Sequence, residues 1–315
     1  MGVFVFLPLL LPLSAWPVAR LAAHRLHPRA ATRLLTVFAV VLAVCSTLCL
    51  ALLMVVGTAQ LPGNPLPDGW SDPEVRAALP YDEIAGRAAI PALGAVVVAC
   101  LHAPVRQLRV RRRAERALAA LPGGRPVAVL PDPVPYAYAL PGRRRDRVVV
   151  SSGMLASLGP AERRALFAHE RAHLAAGHHR HLLAVQLAAR ANPFLRPLRT
   201  AVTYTAERWA DEEAAAAVGS RRTVARAVAR AALIAVPAPR TTGALAQVSG
   251  GGAGPVPRRV AALLGPAPAR PAWPPLCTAV GMAVWSAAVG ATLSALSSAN
   301  SAVTLFLVLR AATPV

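Results

Sequence analysis

Apolar segments of membrane-spanning length alternate with charged loops along the chain. A helix crosses the hydrocarbon core of a bilayer, roughly 30 Å thick, in about 20 residues. The segments that come near this length with few or no charges are 1–19, 34–59, 88–105 and 271–309. The pattern predicts three spans before and one after a more polar region at about 103–275. A second span in the last segment stays open, although the polar cluster 297–301 favours a single span near 276–296.

The charges of the loops predict how these spans are oriented. Arg20–Arg33 carries four arginines and no acid, whereas Gln60–Gly86 carries five acids and one arginine. Arg106–Arg116 carries six arginines and one glutamate. Because positively charged loops stay in the cytoplasm, the first loop is expected inside and the second outside. We therefore expect a multi-pass protein of the cell membrane, with its N-terminus outside and the polar region in the cytoplasm.

The composition narrows the class of protein further. Hydrophobic residues make up 55% of the chain and charged residues 15%, whereas a soluble domain carries about 25% charged residues. This excludes an ordinary soluble enzyme and a disordered chain. The net charge of +20 favours contact with the anionic surface of the lipid bilayer. No nucleic-acid motif accompanies the charge, so we expect no direct nucleic-acid partner.

The predicted elements divide the chain into four parts. Short β-type runs open the polar region, and helical patterns follow Pro160. A stretch rich in proline and glycine then leads back to the membrane. The predicted parts are an N-terminal membrane region (1–105), a cytoplasmic domain (106–236), a flexible linker (237–270) and a C-terminal membrane span (271–315). The predicted fold class is an α-helical membrane protein with an α+β cytoplasmic domain.

The sequence His169-Glu170-Arg171-Ala172-His173 is the strongest chemical signal in the chain. Side chains at positions i and i+4 share one face of a helix, so His169 and His173 can bind one zinc ion. Glu170 lies beside them, where a carboxylate can take a proton from a water molecule that the metal activates. The pattern predicts a Zn²⁺ cofactor, with Glu170 as the general base.

A catalytic zinc ion needs a third protein ligand, and the sequence offers two. Glu207 is favoured because it lies on a separate predicted helix, where Asp211 at i+4 can hold a ligand histidine from behind. His179 has the spacing of the HExxHxxGxxH pattern, but Ala176 stands where that pattern needs glycine. We expect His179, together with His178 and His181, on a wet or membrane-facing side of its helix.

On these residues the chain resembles the integral-membrane gluzincin peptidases of the BlaR/MecR antirepressor type. The HERAH helix follows a strand-and-turn segment, 136–158, and Asn192-Pro193-Phe194 lies between the two zinc helices. Residues 207–211 then supply the E-x-x-x-D signature. The resemblance implies a zincin-like domain that cleaves a cytoplasmic protein, for which the family suggests a winged-helix repressor. It also implies the ligands, base and supporting acid: His169, His173, Glu207, Glu170 and Asp211.

The sequence also predicts where the substrate lies. A peptide can add to an exposed sheet edge through main-chain hydrogen bonds. We expect this edge to be the strand 147–152, with Val148, Val149 and Val150 beside the substrate. Tyr204 and Arg222 are candidates for stabilising the negative charge that develops on the peptide oxygen.

Two further functions stay open at this point. HtpX-like membrane proteases share HExxH and a downstream glutamate, and they would make the chain a quality-control protease for membrane proteins. A membrane scaffold without catalysis is the third possibility. Relative to the beta-lactam sensors of BlaR/MecR type, this chain is expected to lack the external penicillin-binding domain.

Overall fold

The computed structural model describes residues 6–63, 66–71, 82–119, 126–142, 146–234, 256–268 and 277–313. Its helices are α1 (Leu7–Leu10), α2 (Ala15–Arg25), α3 (Pro28–Ala59), α4 (Asp82–Ala119), α5 (Ser152–Ser157), α6 (Pro160–Ala175), α7 (His178–Ala191), α8 (Arg196–Val218), α9 (Arg221–Ile234), α10 (Val256–Leu264) and α11 (Ala279–Ala311). Its strands are β1 (Val127–Leu130), β2 (Ala137–Leu140) and β3 (Arg147–Ser151). Parts of the predicted first span, acidic loop, linker and last segment lie outside the described residues: 1–5, 64–65, 72–81, 237–255, 269–276 and 314–315.

Three described helices are long and apolar enough to cross a membrane, by length and composition. They are α3, the part of α4 from 84 to 110, and the part of α11 from 281 to 311. The predicted span 1–19 is not among them, because its described part divides into α1, a 3-10 turn at Leu11–Ser14 and the start of α2. Prolines cause the division, since each removes a backbone donor and favours the first turn of a new helix. The described part of the last apolar segment contains one continuous helix, α11.

The sheet has the order β1-β3-β2, with β1 parallel and β2 antiparallel to β3. The prediction that Val148, Val149 and Val150 line a substrate-binding edge is therefore wrong, because β3 is the central strand. All three valines are buried, as expected for a strand that is covered on both faces. A continuous run of apolar residues is typical of such a strand, whereas apolar and polar residues alternate in a strand that is exposed on one face. The edges of the described sheet are β1 and β2.

The helices that follow the sheet begin and end at local signals in the sequence. Pro160 lies in the first turn of α6, where the carboxylate of Glu162 accepts a hydrogen bond of 2.8 Å from the backbone N–H of Gly159. Gly177 adopts a left-handed φ of 62°, which glycine tolerates without strain. Only Ala176 and Gly177 separate the two helices, so α7 begins directly after α6. Gly219, with a φ of 70°, ends α8 in the same way.

Helices α7 and α8 share a hydrophobic core with α2 and α3. The buried residues of this core include Ala19, Leu35, Phe38, Leu42, Val185, Leu198 and Val202. Leu195, in the 3-10 turn that joins α7 to α8, is fully buried in the same core. A hydrogen bond of 2.9 Å from the hydroxyl of Thr32 to that of Thr205 ties the start of α3 to α8. The helices after the sheet are thus packed directly against α3, a helix long and apolar enough to cross a membrane.

The predicted linker 237–270 contains a helix, α10, so its description as a flexible connection is wrong for this part. Leu263 is buried against α9, and the guanidinium of Arg221 donates hydrogen bonds to the carbonyls of Ala262 and Gly265. These two acceptors lie at the end of α10, where carbonyl groups lack partners within the helix. Tertiary contacts therefore stabilise a nine-residue helix that is too short to be stable alone.

Candidate metal centre

Two histidines of α6 and one glutamate of α8 converge inside the protein. The Nε2 atoms of His169 and His173 are 3.1 Å apart. Oε2 of Glu207 lies 3.5 Å from Nε2 of His169, and Oε1 of Glu207 lies 3.5 Å from Nε2 of His173. Because His169 and His173 are one helical turn apart, they present both rings to α8. The three side chains form a group that could hold a metal ion.

The arrangement of these atoms fits a tetrahedral zinc ion. Ligand bonds of about 2.0–2.1 Å at tetrahedral angles separate the ligand atoms by about 3.3 Å. The distance between the two histidine nitrogens, 3.1 Å, is close to this value, and each nitrogen lies 3.5 Å from one of the two oxygens of Glu207. Among the described residues, Oε1 of Glu207 is buried and has no hydrogen-bond partner. A buried carboxylate oxygen in this position is costly unless a cation satisfies it. Two imidazoles and one carboxylate are also a known ligand set of catalytic zinc.

Asp211 and Arg259 contact His169 and Glu207 without being part of the group that could hold a metal. Oδ1 of Asp211 lies 3.0 Å from Nδ1 of His169, a contact that fixes the ring orientation of a ligand histidine. Arg259, from α10, donates hydrogen bonds of 2.8 and 2.6 Å to the two oxygens of Asp211. A further nitrogen of its guanidinium lies 2.8 Å from Oε2 of Glu207. One buried cation therefore pairs with both carboxylates.

Glu170 lies next to the ligands on α6 and is buried. Burial raises the pKa of its carboxyl group to about 7, and a backbone hydrogen bond from Ala139 in β2 acts in the opposite direction. A general base works best when its pKa is close to the working pH. Glu170 therefore has both the position and the proton affinity to exchange a proton near neutral pH.

The two ligand histidines have opposite pKa shifts. Burial would lower the pKa of His169, but the carboxylates of Asp211 and Glu207 outweigh it and raise the pKa to about 10. Burial lowers the pKa of His173 to about 3. Burial would raise the pKa of Glu207, but the charge of Arg259 outweighs it and keeps the pKa low. Without a metal, the group therefore holds a proton on His169 and none on His173.

The other histidines of this region divide into two groups. His178 is fully buried, and its Nδ1 lies 2.8 Å from Nδ1 of His173. The prediction that it lies on a wet or membrane-facing side is therefore wrong. His179 and His181 line a cavity of about 680 Å³ beside the turn at Gly177. His179, the alternative third ligand, is not part of the group that could hold a metal.

The two predicted oxyanion donors lie in different surroundings. Tyr204 is largely buried, and the guanidinium carbon of Arg258 lies 4.5 Å from the centre of its ring. Arg222 is exposed on α9. The role of both residues stays a prediction.

Comparison with known proteins finds a match to one family over part of the chain. Residues 104–190 match the model of Peptidase family M48. This stretch of the chain is similar to the M48 metallopeptidases. The match includes His169, Glu170 and His173 and ends before Glu207. No curated protein and no solved structure matches the chain.

The match agrees with the prediction of a metallopeptidase, and it does not identify the BlaR/MecR type. Two contacts of the candidate metal centre were not predicted from the sequence. Arg259 lies in a stretch that is rich in proline and glycine, as a linker is. The spacing of apolar residues in Val256–Leu264 is the one signal that could have predicted a helix there. His178 owes its position to the turn at Gly177. The glycine in the sequence indicates a turn, but it does not indicate the direction in which the chain continues.

Proposed function

We propose that the chain is a membrane-bound, zinc-dependent endopeptidase whose M48 domain acts on the cytoplasmic side. The observation that carries this proposal is the buried group His169, His173 and Glu207 with Glu170 beside it. The cytoplasmic location rests on the arginine-rich loops that precede and follow the first spans. The membrane location rests on the three helices that are long and apolar enough to cross a bilayer.

Each residue at the site has a separate role in peptide hydrolysis. Zinc, when bound, lowers the pKa of a water molecule and polarises the carbonyl of the peptide bond. Glu170 accepts a proton from the attacking water and returns it to the leaving nitrogen. Asp211 holds His169 in place, and Arg259 keeps the carboxylates of Asp211 and Glu207 ionised.

Strand β2 is the edge that would bind the substrate, in place of the predicted β3. The carbonyl of Tyr136 accepts a hydrogen bond of 3.0 Å from the backbone N–H of Ser151. In an antiparallel pair, the backbone N–H and C=O groups of successive residues point alternately toward the partner strand and away from it. Those of Ala137 and Ala139 therefore point away from β3. Strand β2 packs against α6. A peptide added to this edge would therefore lie beside Glu170.

A cytoplasmic protein is the first proposed substrate, in particular a winged-helix repressor in a BlaR/MecR-like signalling pathway. This proposal rests on the resemblance of residues 136–158, 192–194 and 207–211 to that type of peptidase. It predicts a soluble substrate with few cleavage sites.

A membrane protein is the second proposed substrate, and the position of the site favours it. Thr205, two residues before Glu207, is hydrogen-bonded to Thr32 at the start of the spanning helix α3. Segments that leave the bilayer would therefore emerge close to the ligand group. This alternative predicts several unrelated membrane substrates, as for a quality-control protease.

Metal content and peptidase activity of the detergent-purified full chain test the function. We expect about one zinc per chain in the wild type and little in Glu207→Ala, because three ligands are required. Glu170→Gln should bind zinc like the wild type and cleave casein at least about 100-fold more slowly, because the proton acceptor is lost. Glu162→Gln is the matched control, since its amide oxygen can still accept the hydrogen bond from Gly159.

Two results would contradict this function. Wild-type protein that has been supplied with excess zinc and still contains none would exclude the metal centre. Glu170→Gln with wild-type activity would exclude its role as the base. Chains captured by Glu170→Gln through a photo-crosslinker can then be identified, and they would separate a soluble repressor from membrane proteins.

A further inference from the structure

His178 has no role in the chemistry described above, although it touches a ligand. Its side chain is fully buried, and its Nδ1 lies 2.8 Å from Nδ1 of His173. The other ring nitrogen of His173, Nε2, faces the Nε2 of His169 and the carboxylate of Glu207. The ring of His173 is thus held at both nitrogens, one at the ligand group and one at His178.

The position of the proton follows from this geometry. A histidine that binds a metal through Nε2 carries its proton on Nδ1. Nδ1 of His173 therefore donates a hydrogen bond, and Nδ1 of His178 must accept it. A neutral His178 with its own proton on Nε2 is the form that provides this acceptor.

A second layer holds His178 in the orientation that this bond requires. The ring of Trp209 meets the His178 ring edge to face, with ring centres 4.7 Å apart. The indole N–H of Trp209 donates a hydrogen bond of 3.0 Å to Glu213. The guanidinium carbons of Arg29 and Arg33 lie 5.5 and 5.3 Å from the centre of the indole ring, within the range of cation–π contacts.

The two ligand histidines are therefore supported in different ways. Nδ1 of His169 faces the carboxylate of Asp211 at 3.0 Å, which is a common arrangement at metal sites. His173 has a neutral imidazole in the corresponding place. Since Arg29 and Arg33 belong to α3, the support of His173 reaches a membrane-spanning helix, whereas that of His169 reaches α10.

We propose that His178 is a positioning residue that holds the ligand His173 by accepting the hydrogen bond from its Nδ1. Trp209 backs the ring and links it to the cytoplasmic end of α3. This inference rests on the proposed function, because it requires that His173 binds zinc. It adds a third supporting side chain to Asp211 and Arg259.

Zinc affinity of the detergent-purified full chain tests the inference, measured by competition with a chromophoric chelator. His178→Leu keeps the volume but removes the acceptor, and we expect a Kd for zinc about 10–100-fold higher than in the wild type. His178→Asn places an amide oxygen near the position of Nδ1, so its Kd should return to within about threefold of the wild type. His181→Leu, on the same helix, is the control and should stay within about twofold.

A spectroscopic readout separates positioning from a general loss of structure. Co²⁺ in place of zinc reports ligand geometry through its visible absorption. We expect an altered spectrum for His178→Leu and a wild-type spectrum for His178→Asn and His181→Leu. If His178→Leu does not fold, His178→Gln replaces it, because its longer side chain carries the oxygen away from the Nδ1 position.

The outcomes of this experiment are distinct. A wild type that binds no zinc would overturn the proposed function itself. Wild-type binding with an unchanged Kd in His178→Leu would overturn the role of His178 alone. Equal losses in His178→Asn and His178→Gln would also overturn it, because the acceptor at Nδ1 would then not matter.

Discussion

His169 and His173 lie one turn apart on α6, yet their surroundings give them different proton affinities. The carboxylates of Asp211 and Glu207 raise the pKa of His169 to about 10 despite its burial, and burial lowers that of His173 to about 3. The spacing in HERAH was sufficient to predict both as ligands. It could not predict this difference, because the difference arises from α8 and α10, which reach the site only in the folded chain.

The proton on His169 predicts how zinc binding depends on pH. A ligand histidine must be unprotonated, so zinc displaces this proton when it binds. Below the pKa of about 10, the apparent zinc affinity should rise about tenfold per pH unit and then level off above that pKa. Calorimetry at pH 7.5 in buffers of different ionisation enthalpy should show release of about one proton per zinc. His181→Gln should behave like the wild type, and zinc binding without proton release would contradict the assignment.

Helix α10 shows why the predicted linker was partly wrong. Its nine residues follow a Pro/Gly-rich stretch, and a helix of this length is not stable by propensity alone. Its stability comes from Arg221 at its end, from Leu263 in the core and from the ion pairs of Arg259. In contrast, α6 and α8 were predicted because proline, glycine and capping residues mark their ends locally.

Removal of Arg259 should destabilise the metal-free protein more than the zinc-bound one. Arg259→Gln would leave Asp211 and Glu207 as buried carboxylates without their cation, a loss of about 3–5 kcal/mol in the free energy of unfolding. Zinc would compensate part of this loss at Glu207. Thermal unfolding in detergent, with and without zinc, should therefore show a larger zinc-induced rise in Tm for the variant than for the wild type.

The neighbouring arginine provides the control for this measurement. Arg258 is exposed and packs over the ring of Tyr204. Arg258→Gln should change the free energy of unfolding by about 1 kcal/mol or less. Equal effects of the two substitutions would show that Arg259 acts by general surface charge and not by pairing with the buried carboxylates.

At the scale of the whole molecule, two of the long apolar helices, α3 and α4, approach each other closely at a pair of glycines. A Cβ atom on Gly57 of α3 would lie 2.3 Å from the backbone of Gly86 in α4, and one on Gly86 would lie 2.7 Å from Gly57. Small residues allow such close packing of helices in a bilayer. The contact between Gly57 and Gly86 was not predicted from the sequence, because neither segment indicates which other helix it packs against.

Gly57→Val should force α3 and α4 apart and lower the stability of the full chain in detergent. Overpacking of this kind costs about 1–3 kcal/mol, which size-exclusion profiles after heating should detect as earlier aggregation. Gly94→Val, in the same helix as Gly86, is the control, because no atom lies within 4 Å of the Cβ position of Gly94. An unchanged profile for Gly57→Val would contradict the close contact of α3 with α4.

The core that α7 and α8 share with α2 and α3 also bears on how the peptidase can be handled. A fragment that begins after the first spans would expose the apolar faces of Val185, Leu198 and Val202 to water. Exposed patches of this kind cause aggregation. Expression trials that aim at a soluble catalytic fragment should therefore yield inclusion bodies, and the enzyme is best produced and studied as an intact chain in detergent or nanodiscs.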